Sequence, residues 1–235
     1  MKRERVHDQP AFLLHSVPYG ETSLVLELLT RDHGRVAALA KGAKRPRSSL
    51  RAVLLQFQPL SVAFTGRAEL RTLTAAEWSG GLESPRGEAL LCAFYMNELL
   101  LRLLAREDSH PGLFEAYEQG LRALSENKSL DDTLRRFEWR LLRETGYAPD
   151  LLRDAEHRPV TPERQYAWLP EGGFVACDPG QDGVTGEVLL AIAAHDYLSE
   201  NSRVQAKALT RRILNYCLGG QDLNTRRILR DLQRR

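Results

Sequence analysis

Hydrophobic periodicity in this chain changes once, near residue 80, and that change limits the folds open to it. Before it, apolar residues fall in short runs of strand-type composition separated by turn residues; after it, they recur at helical spacing. Ala11–Val17 and Ser23–Thr30 are two such runs, with Pro18-Tyr19-Gly20-Glu21 between them. Arg31-Asp32-His33-Gly34 predicts a tight hairpin, since Asp and Gly supply the backbone conformations of a sharp turn. Arg35–Ala40 is a third strand, Val53–Phe57 leads into a fourth at Leu60–Phe64, and Thr65-Gly66-Arg67 turns into a fifth at Ala68–Ala75. Five short strands in so short a segment predict a small closed barrel, because closure removes open edges. An OB-type barrel is the first choice and an SH3-like barrel the alternative.

From Ser84-Pro85 onward the pattern is helical. Ser84 can cap free amides and Pro85 suits the first helical position, predicting a helix over 84–106. Pro111–Ser125 is a second helix, and a third begins at Ser129 and ends at Gly146, a natural left-handed stop. Residues 147–183 are richer in Pro and Gly, with Gln165–Leu169 and Gly173–Cys177 able to pair as a hairpin. Helices return over Thr185–Leu198 and Ser202–Leu218, where Ser202 and Gln205 have capping-box spacing. Asn224 opens a short last helix. The expected fold is α+β and multidomain: a five-stranded OB-type barrel over 1–80, then a helical domain over 81–235 with an irregular insertion at about 147–183.

Charge follows the same division. Residues 1–80 carry twelve Lys and Arg against seven Asp and Glu, whereas 81–235 carry twenty-one against twenty-four. A basic first third joined to a slightly acidic remainder suits a domain that meets a polyanion. No apolar run approaches the ~20 residues that span a bilayer, and no apolar stretch with a cleavage site follows the charged start, so neither a membrane span nor a signal peptide is expected. Three cysteines (Cys92, Cys177, Cys217) far apart suit a reducing cytoplasm rather than a disulfide framework.

The most informative stretch is Lys41-Gly42-Ala43-Lys44-Arg45-Pro46-Arg47-Ser48-Ser49-Leu50-Arg51, with five basic residues and no acid. Gly and Pro keep it irregular, so a loop on the barrel is expected. Lys41, Lys44, Arg45, Arg47 and Arg51 suit phosphates, Arg by its forked donors and Lys as a mobile point charge. Arg35 on the preceding strand, with Arg67 and Arg71 from the later hairpin, can join them in one basic groove. A solvated basic loop without a ligand is the competing structural account. Phe12, Phe57 and Phe64 lie in apolar runs and read as core; Tyr19, in a turn, is the better candidate for stacking on a base. Six scattered histidines lack metal-ligand spacing, and neither a phosphate-cradling Gly-rich loop ending in Lys-Ser/Thr nor a Ser elbow between glycines occurs. Asp131-Asp132 reads as helix-start chemistry.

Three passages resemble the RecO family of DNA repair proteins. They are Ala11-Phe12-Leu13-Leu14 … Tyr19-Gly20-Glu21-Thr22-Ser23 through Thr30-Arg31-Asp32-His33-Gly34-Arg35, the loop Ala40–Ser48, and the ending Arg212-Ile213-Leu214-Asn215-Tyr216 … Leu218-Gly219-Gly220-Gln221-Asp222-Leu223-Asn224-Thr225-Arg226. The resemblance implies an OB-fold domain, then a helical domain with a zinc-finger-like insertion. It implies binding to single- and double-stranded DNA, strand annealing, and partnership with RecR and the single-strand-binding protein in loading a recombinase. Such a protein is expected in the cytoplasm, associated with the nucleoid. The acidic tail of single-strand-binding protein, with its apolar end, needs an apolar pocket edged by arginine. Helix 84–106 with Arg135, Arg136, Arg140 and Arg143 of the next basic helix is where one is expected.

The resemblance also implies, in many members, a zinc held by four cysteines. Here only Cys177 falls in the corresponding segment, and His157 alone cannot complete a tetrahedral site, so neither zinc nor any other cofactor is expected. Packing of Tyr166, Trp168 and Phe174 should hold the segment instead. Two other functions remain compatible with the residues: an RNA-binding OB protein, or a DNA-acting nuclease, which needs clustered carboxylates.

Overall fold

The computed structural model describes residues 5–66, 69–126, 128–178, 182–194 and 200–233. Five strands, β1 (Arg5–Tyr19), β2 (Ser23–Thr30), β3 (Gly34–Ala40), β4 (Pro59–Thr65) and β5 (Leu70–Trp78), close into a barrel in the order β1-β2-β3-β5-β4. All neighbours are antiparallel except β3 and β5, which run parallel. This is the OB-type arrangement. Alternation explains it: Leu26 and Leu28 of β2, Val36, Ala38 and Ala40 of β3, and Leu60, Val62 and Phe64 of β4 fill the interior. β1 pairs with both β2 and β4, and register shifts at Leu13/His15 and Val6/Gln9 let it bend between them.

The segment Val53–Phe57 is not extended as its composition predicts. Ser49–Val53 forms a short helix, α1, because Leu50, Val53 and Leu54 share the spacing of one helical face and pack on the barrel core. A second correction concerns the start of α2 (Glu88–Leu103). Ser84 does not cap it: its hydroxyl accepts from Gln58 Nε2 (3.0 Å), and the helix begins after Gly87, whose φ is +57°. α3 (Pro111–Ser125) starts on its proline as expected.

The chain divides into two compact units, Met1–Thr133 with Leu223–Arg235, and Leu134–Asp222. The first joins the barrel to α2, α3 and the last helix, α7 (Asn224–Gln233). Phe12 of β1 meets Phe114 of α3 in a tilted contact and Tyr117 edge-on, with ring centroids 5.3 and 5.1 Å apart. The Tyr117 hydroxyl donates to Asn97 Oδ1 (2.5 Å), and Asn97 Nδ2 donates to the Leu14 carbonyl at the β1 irregularity (2.9 Å). Burial pushes the Tyr117 phenol far above its ordinary value.

Glu98 of α2 latches α7. Its carboxylate accepts from the Asn224 and Thr225 amides (both 2.9 Å) and from Thr225 Oγ1 (2.8 Å), satisfying the free N–H groups that open a helix. Burial opposes its ionisation, but these bonds and Arg102 outweigh it and hold the carboxyl below its ordinary value of 4.5. A depressed carboxyl stabilises the fold above its unfolded value and loses that contribution as pH falls through the folded one. Glu98→Gln is therefore expected to melt below wild type at neutral pH, with the gap closing in thermal melts as the pH is taken down through the lowered carboxyl value.

In the second unit, α4 (Leu130–Glu144, from Leu134 on) leads to a hairpin of β6 (Gln165–Leu169) and β7 (Gly173–Cys177). β8 (Val184–Thr185) pairs with β6, and α5 (Gly186–Ala194) and α6 (Glu200–Cys217) follow. The helix expected over Thr185–Leu198 is described to Ala194, and residues 195–199 lie outside the described residues. Ser202 falls inside the first turn of α6 rather than at its cap. Tyr166, Trp168 and Phe174 are buried.

The insertion at 147–183 does not fit a tetrahedral zinc site of cysteines and histidines, since Cys177 is its one cysteine and His157 its one histidine. Among the described residues no group of three or more His, Cys, Asp and Glu gathers to hold a metal. The loop after Asp150 is organised by a carboxylate instead: Asp154 accepts from the Glu156 and Arg158 amides (both 2.9 Å) and from Arg158 Nε (3.0 Å). Despite the opposing effect of burial, these bonds keep the Asp154 carboxyl below its ordinary value. Purified protein is expected to contain no stoichiometric zinc and to melt at the same temperature with a chelator; one tightly held zinc per chain by metal analysis contradicts this.

Candidate nucleic-acid interface

The basic run occupies the connection from β3 into α1: Lys41, Lys44, Arg45 and Arg47 lie on the expected loop, whereas Arg51 lies within α1 rather than on it. Ala43 is buried against the barrel, while the Lys44 amide donates to the Thr22 carbonyl (2.8 Å) and the Gly42 amide to Ser23 Oγ (3.4 Å). Arg45 N–H donates to the Gly42 carbonyl and Ser48 N–H to the Arg45 carbonyl, both at 3.0 Å. The backbone is thereby pinned to the β1–β2 turn as a chain of tight turns. Gly42 enables this with a φ of +70°, a conformation that L side chains rarely adopt.

The side chains remain outside. Lys41, Lys44, Arg45, Arg47 and Arg51 are all exposed, and among the described residues none makes an ion pair; the Lys44 ammonium alone reaches the Gly20 carbonyl (3.5 Å). Tyr19 ends β1 beside this loop and is 57% exposed. The fold thus brings Tyr19 and the loop cations to one end of the barrel.

Two other expected members are engaged elsewhere. Arg35 donates to Glu27 (2.9 Å) and, through Nε, to the Leu104 carbonyl (3.0 Å). Arg71 is 7% exposed, lies 5.1 Å from the Phe64 ring centroid and donates to Glu107 at 2.9 and 3.2 Å. Its Cα partner is the core residue Ala38, so it points towards the barrel interior rather than onto a groove. Arg67 lies outside the described residues.

The four helical arginines also divide. Arg135 is buried and grips Glu138 through both oxygens (2.6 and 2.7 Å). Arg140 pairs with Glu144 (2.8 Å), while Arg136 and Arg143 are exposed.

Sequence reasoning missed the outer face of the barrel. Since Leu24, Leu26 and Leu28 turn inward, Ser23, Val25 and Glu27 turn outward, and directly paired residues share a face. Register then aligns Val17, Val25, Leu39 and Thr72 in one row, with Tyr19 and Ser23 above it and His15, Glu27, Ala37 and Leu70 below. The alternation in Ser23–Thr30 signals which residues face out; alignment across strands needs the register.

Comparison with known proteins agrees with this architecture. The family model described as Recombination protein O N terminal matches residues 1–82, and that described as Recombination protein O C terminal matches residues 85–227. A DNA repair protein RecO from Aromatoleum aromaticum is 49% identical, the alignment covering 99% of this chain and 98% of the relative. Relatives of the same name from Burkholderia pseudomallei and Polynucleobacter asymbioticus are 51% and 50% identical, covering 97% and 98% of this chain and 85% and 98% of their own.

Proposed function

The chain belongs to the RecO family of DNA repair and recombination proteins, and on that premise we propose that it binds DNA through the 41–51 loop and acts without turnover of its own. One observation carries this reading: five exposed cations on a pinned backbone, with no ion-pair partner among the described residues. Such a loop neutralises phosphates and releases condensed counterions. Tyr19 adds a stacking surface beside it, whereas Arg35 and Arg71 serve the fold through Glu27 and Glu107.

In this reading the barrel over 1–80 carries single- and double-stranded DNA. The helical domain over 81–235, with its insertion at about 147–183, carries protein partners: RecR and the acidic tail of single-strand-binding protein. The protein works in the cytoplasm at the nucleoid, annealing complementary strands and helping load recombinase on coated DNA. For the tail, Arg136 and Arg143 are the solvent-exposed arginines of α4, whereas Arg135 is buried and Arg140 lies half-buried beside Glu144.

Annealing of complementary strands, bare or coated with single-strand-binding protein with and without its tail, tests the proposal. Annealing of bare and tailed coated strands, with slower annealing when the tail is removed, is the expected result. No acceleration on bare strands contradicts it. Parallel binding to RNA of the same sequence, and cleavage assays with magnesium, test the RNA-binding and nuclease alternatives.

A further inference from the structure

We propose that Phe57 is a positioning residue for DNA: clamped by Phe94 of α2, it holds α1 so that Arg47 and Arg51 meet the phosphates together with the rest of the basic run. The inference rests on the DNA-binding role given to that run. Its starting point is a backbone anomaly. Phe57 has a φ of +65°, a left-handed conformation that a bulky L residue rarely adopts, yet the residue is only 4% exposed. Such a conformation persists only where its surroundings over-determine it, and these places cluster at functional sites.

The short connection from α1 to β4 is anchored at successive residues. The Phe57 ring meets Phe94 edge-on, with centroids 4.9 Å apart. One residue earlier, Gln56 Nε2 donates to the Leu14 carbonyl (2.6 Å), the same oxygen that takes Asn97 Nδ2 of α2. One residue later, Gln58 Nε2 donates to the Leu82 carbonyl (2.8 Å) and to Ser84 Oγ, on the segment that leads into α2. What these anchors hold is α1. Leu54 donates its amide to the Leu50 carbonyl (2.9 Å) and packs with Leu50 and Val53 on the barrel core. Arg51 lies inside that turn with its amide on the Ser48 carbonyl (3.2 Å), and Ser48 donates in turn to the Arg45 carbonyl (3.0 Å). The front of the basic run is fixed separately, by the Lys44 amide on Thr22 and by buried Ala43. Arg47 and Arg51 therefore take their placement from the rear, where Phe57 is locked. Cations placed before DNA arrives spare the binding step the ordering that a loose segment would require.

The test is binding of Phe94→Ala to oligothymidine at several salt concentrations, with amide hydrogen exchange over 48–54, all well below the melting transition. Phe94 is half-buried and carries no charge, so removing its ring frees Phe57 and leaves every cation of the run intact. The Arg51 and Leu54 amides are expected to exchange on the order of tenfold faster, and those of β2 and β3 at the wild-type rate. Loss of Arg47 and Arg51 as phosphate contacts should lower affinity on the order of tenfold and shrink the salt slope by roughly 1.4, at ~0.7 per contact. Phe94→Tyr, which keeps the ring, should return all three readings to wild type. Phe94→Leu gives the same comparison in smaller measure if the alanine variant folds poorly. Leu121→Ala, in the core of α3, controls for lost stability alone and should leave the slope unchanged. An undiminished slope in Phe94→Ala, or an equal reduction in Leu121→Ala, overturns the inference. Arg47→Ala/Arg51→Ala separates the two levels. If it shrinks the slope while Phe94→Ala does not, the positioning role alone fails. If it leaves the slope unchanged, the DNA-binding role of these two cations fails as well.

Discussion

Replacing Lys44, Arg45 and Arg47 together with Ala is expected to weaken single-stranded DNA binding on the order of a hundredfold and to abolish most strand annealing. Each phosphate contact on a single strand releases ~0.7 of a counterion, which at ~0.1 M salt is worth roughly fivefold in affinity, and three contacts multiply. The same change should leave the melting temperature within about 2 °C, because exposed charges contribute little to folding and these three have no ion-pair partner among the described residues. Fluorescence anisotropy with a labelled oligonucleotide and a thermal melt check both halves. If the variant folds and anneals at the wild-type rate, the DNA site lies elsewhere, with the second group of arginines in the sequence, Arg211, Arg212, Arg226, Arg227 and Arg230, as the next candidates. Of these, Arg212 is paired with Asp182 (2.9 Å), Arg226 donates to the Tyr95 hydroxyl (2.9 Å), and Arg211 is exposed.

The largest effect on folding is expected from Gly34→Ala. Gly34 opens β3 with a φ of +63°, and an added Cβ would sit 2.0 Å from the Asp108 carbonyl oxygen and 2.8 Å from the Asp108 nitrogen. Both are backbone atoms of the connection between α2 and α3. That connection is strapped to the barrel by the Glu107 amide to the Arg35 carbonyl (3.0 Å), Arg71 to Glu107, and Ser109 Oγ to the Arg31 carbonyl (3.3 Å). The methyl group therefore forces the strap away while also straining the turn. We expect a loss of roughly 3–5 kcal/mol, lowering the melting temperature by about 10 °C. Below the transition the variant should still bind DNA, since Gly34 starts β3 and the basic loop leaves its other end. A loss under about 1 kcal/mol would show that the strap yields easily.

How much is legible in the sequence follows from the range of each interaction. Ser23–Thr30 and Arg35–Ala40 announce their strands because alternation is local, and the Asp32–Gly34 turn joins them with little ambiguity. The hairpin at Gln165–Leu169 and Gly173–Cys177 is legible for the same reason. The stretch Val53–Phe57 misleads because its apolar residues suit a strand by composition, whereas the spacing of Leu50, Val53 and Leu54 serves a one-turn plug on the barrel. At the site, the loop cations are legible as a cluster in sequence. The engagement of Arg35 and Arg71 is not, since their partners Leu104 and Glu107 lie 69 and 36 residues away. Nor is the outer row of Val17, Val25 and Leu39, which exists only once three strands are in register.

The central claim, that the exposed cations of residues 41–51 hold the phosphates of DNA, is tested most directly by the salt dependence of single-strand affinity. With five phosphates neutralised, log K against log salt concentration is predicted to fall with a slope on the order of −3 to −4, shrinking by roughly 0.7 of a unit for each loop cation replaced by Ala. A slope near zero in the wild-type protein, or an undiminished slope when Lys44, Arg45 and Arg47 are all Ala, would contradict it.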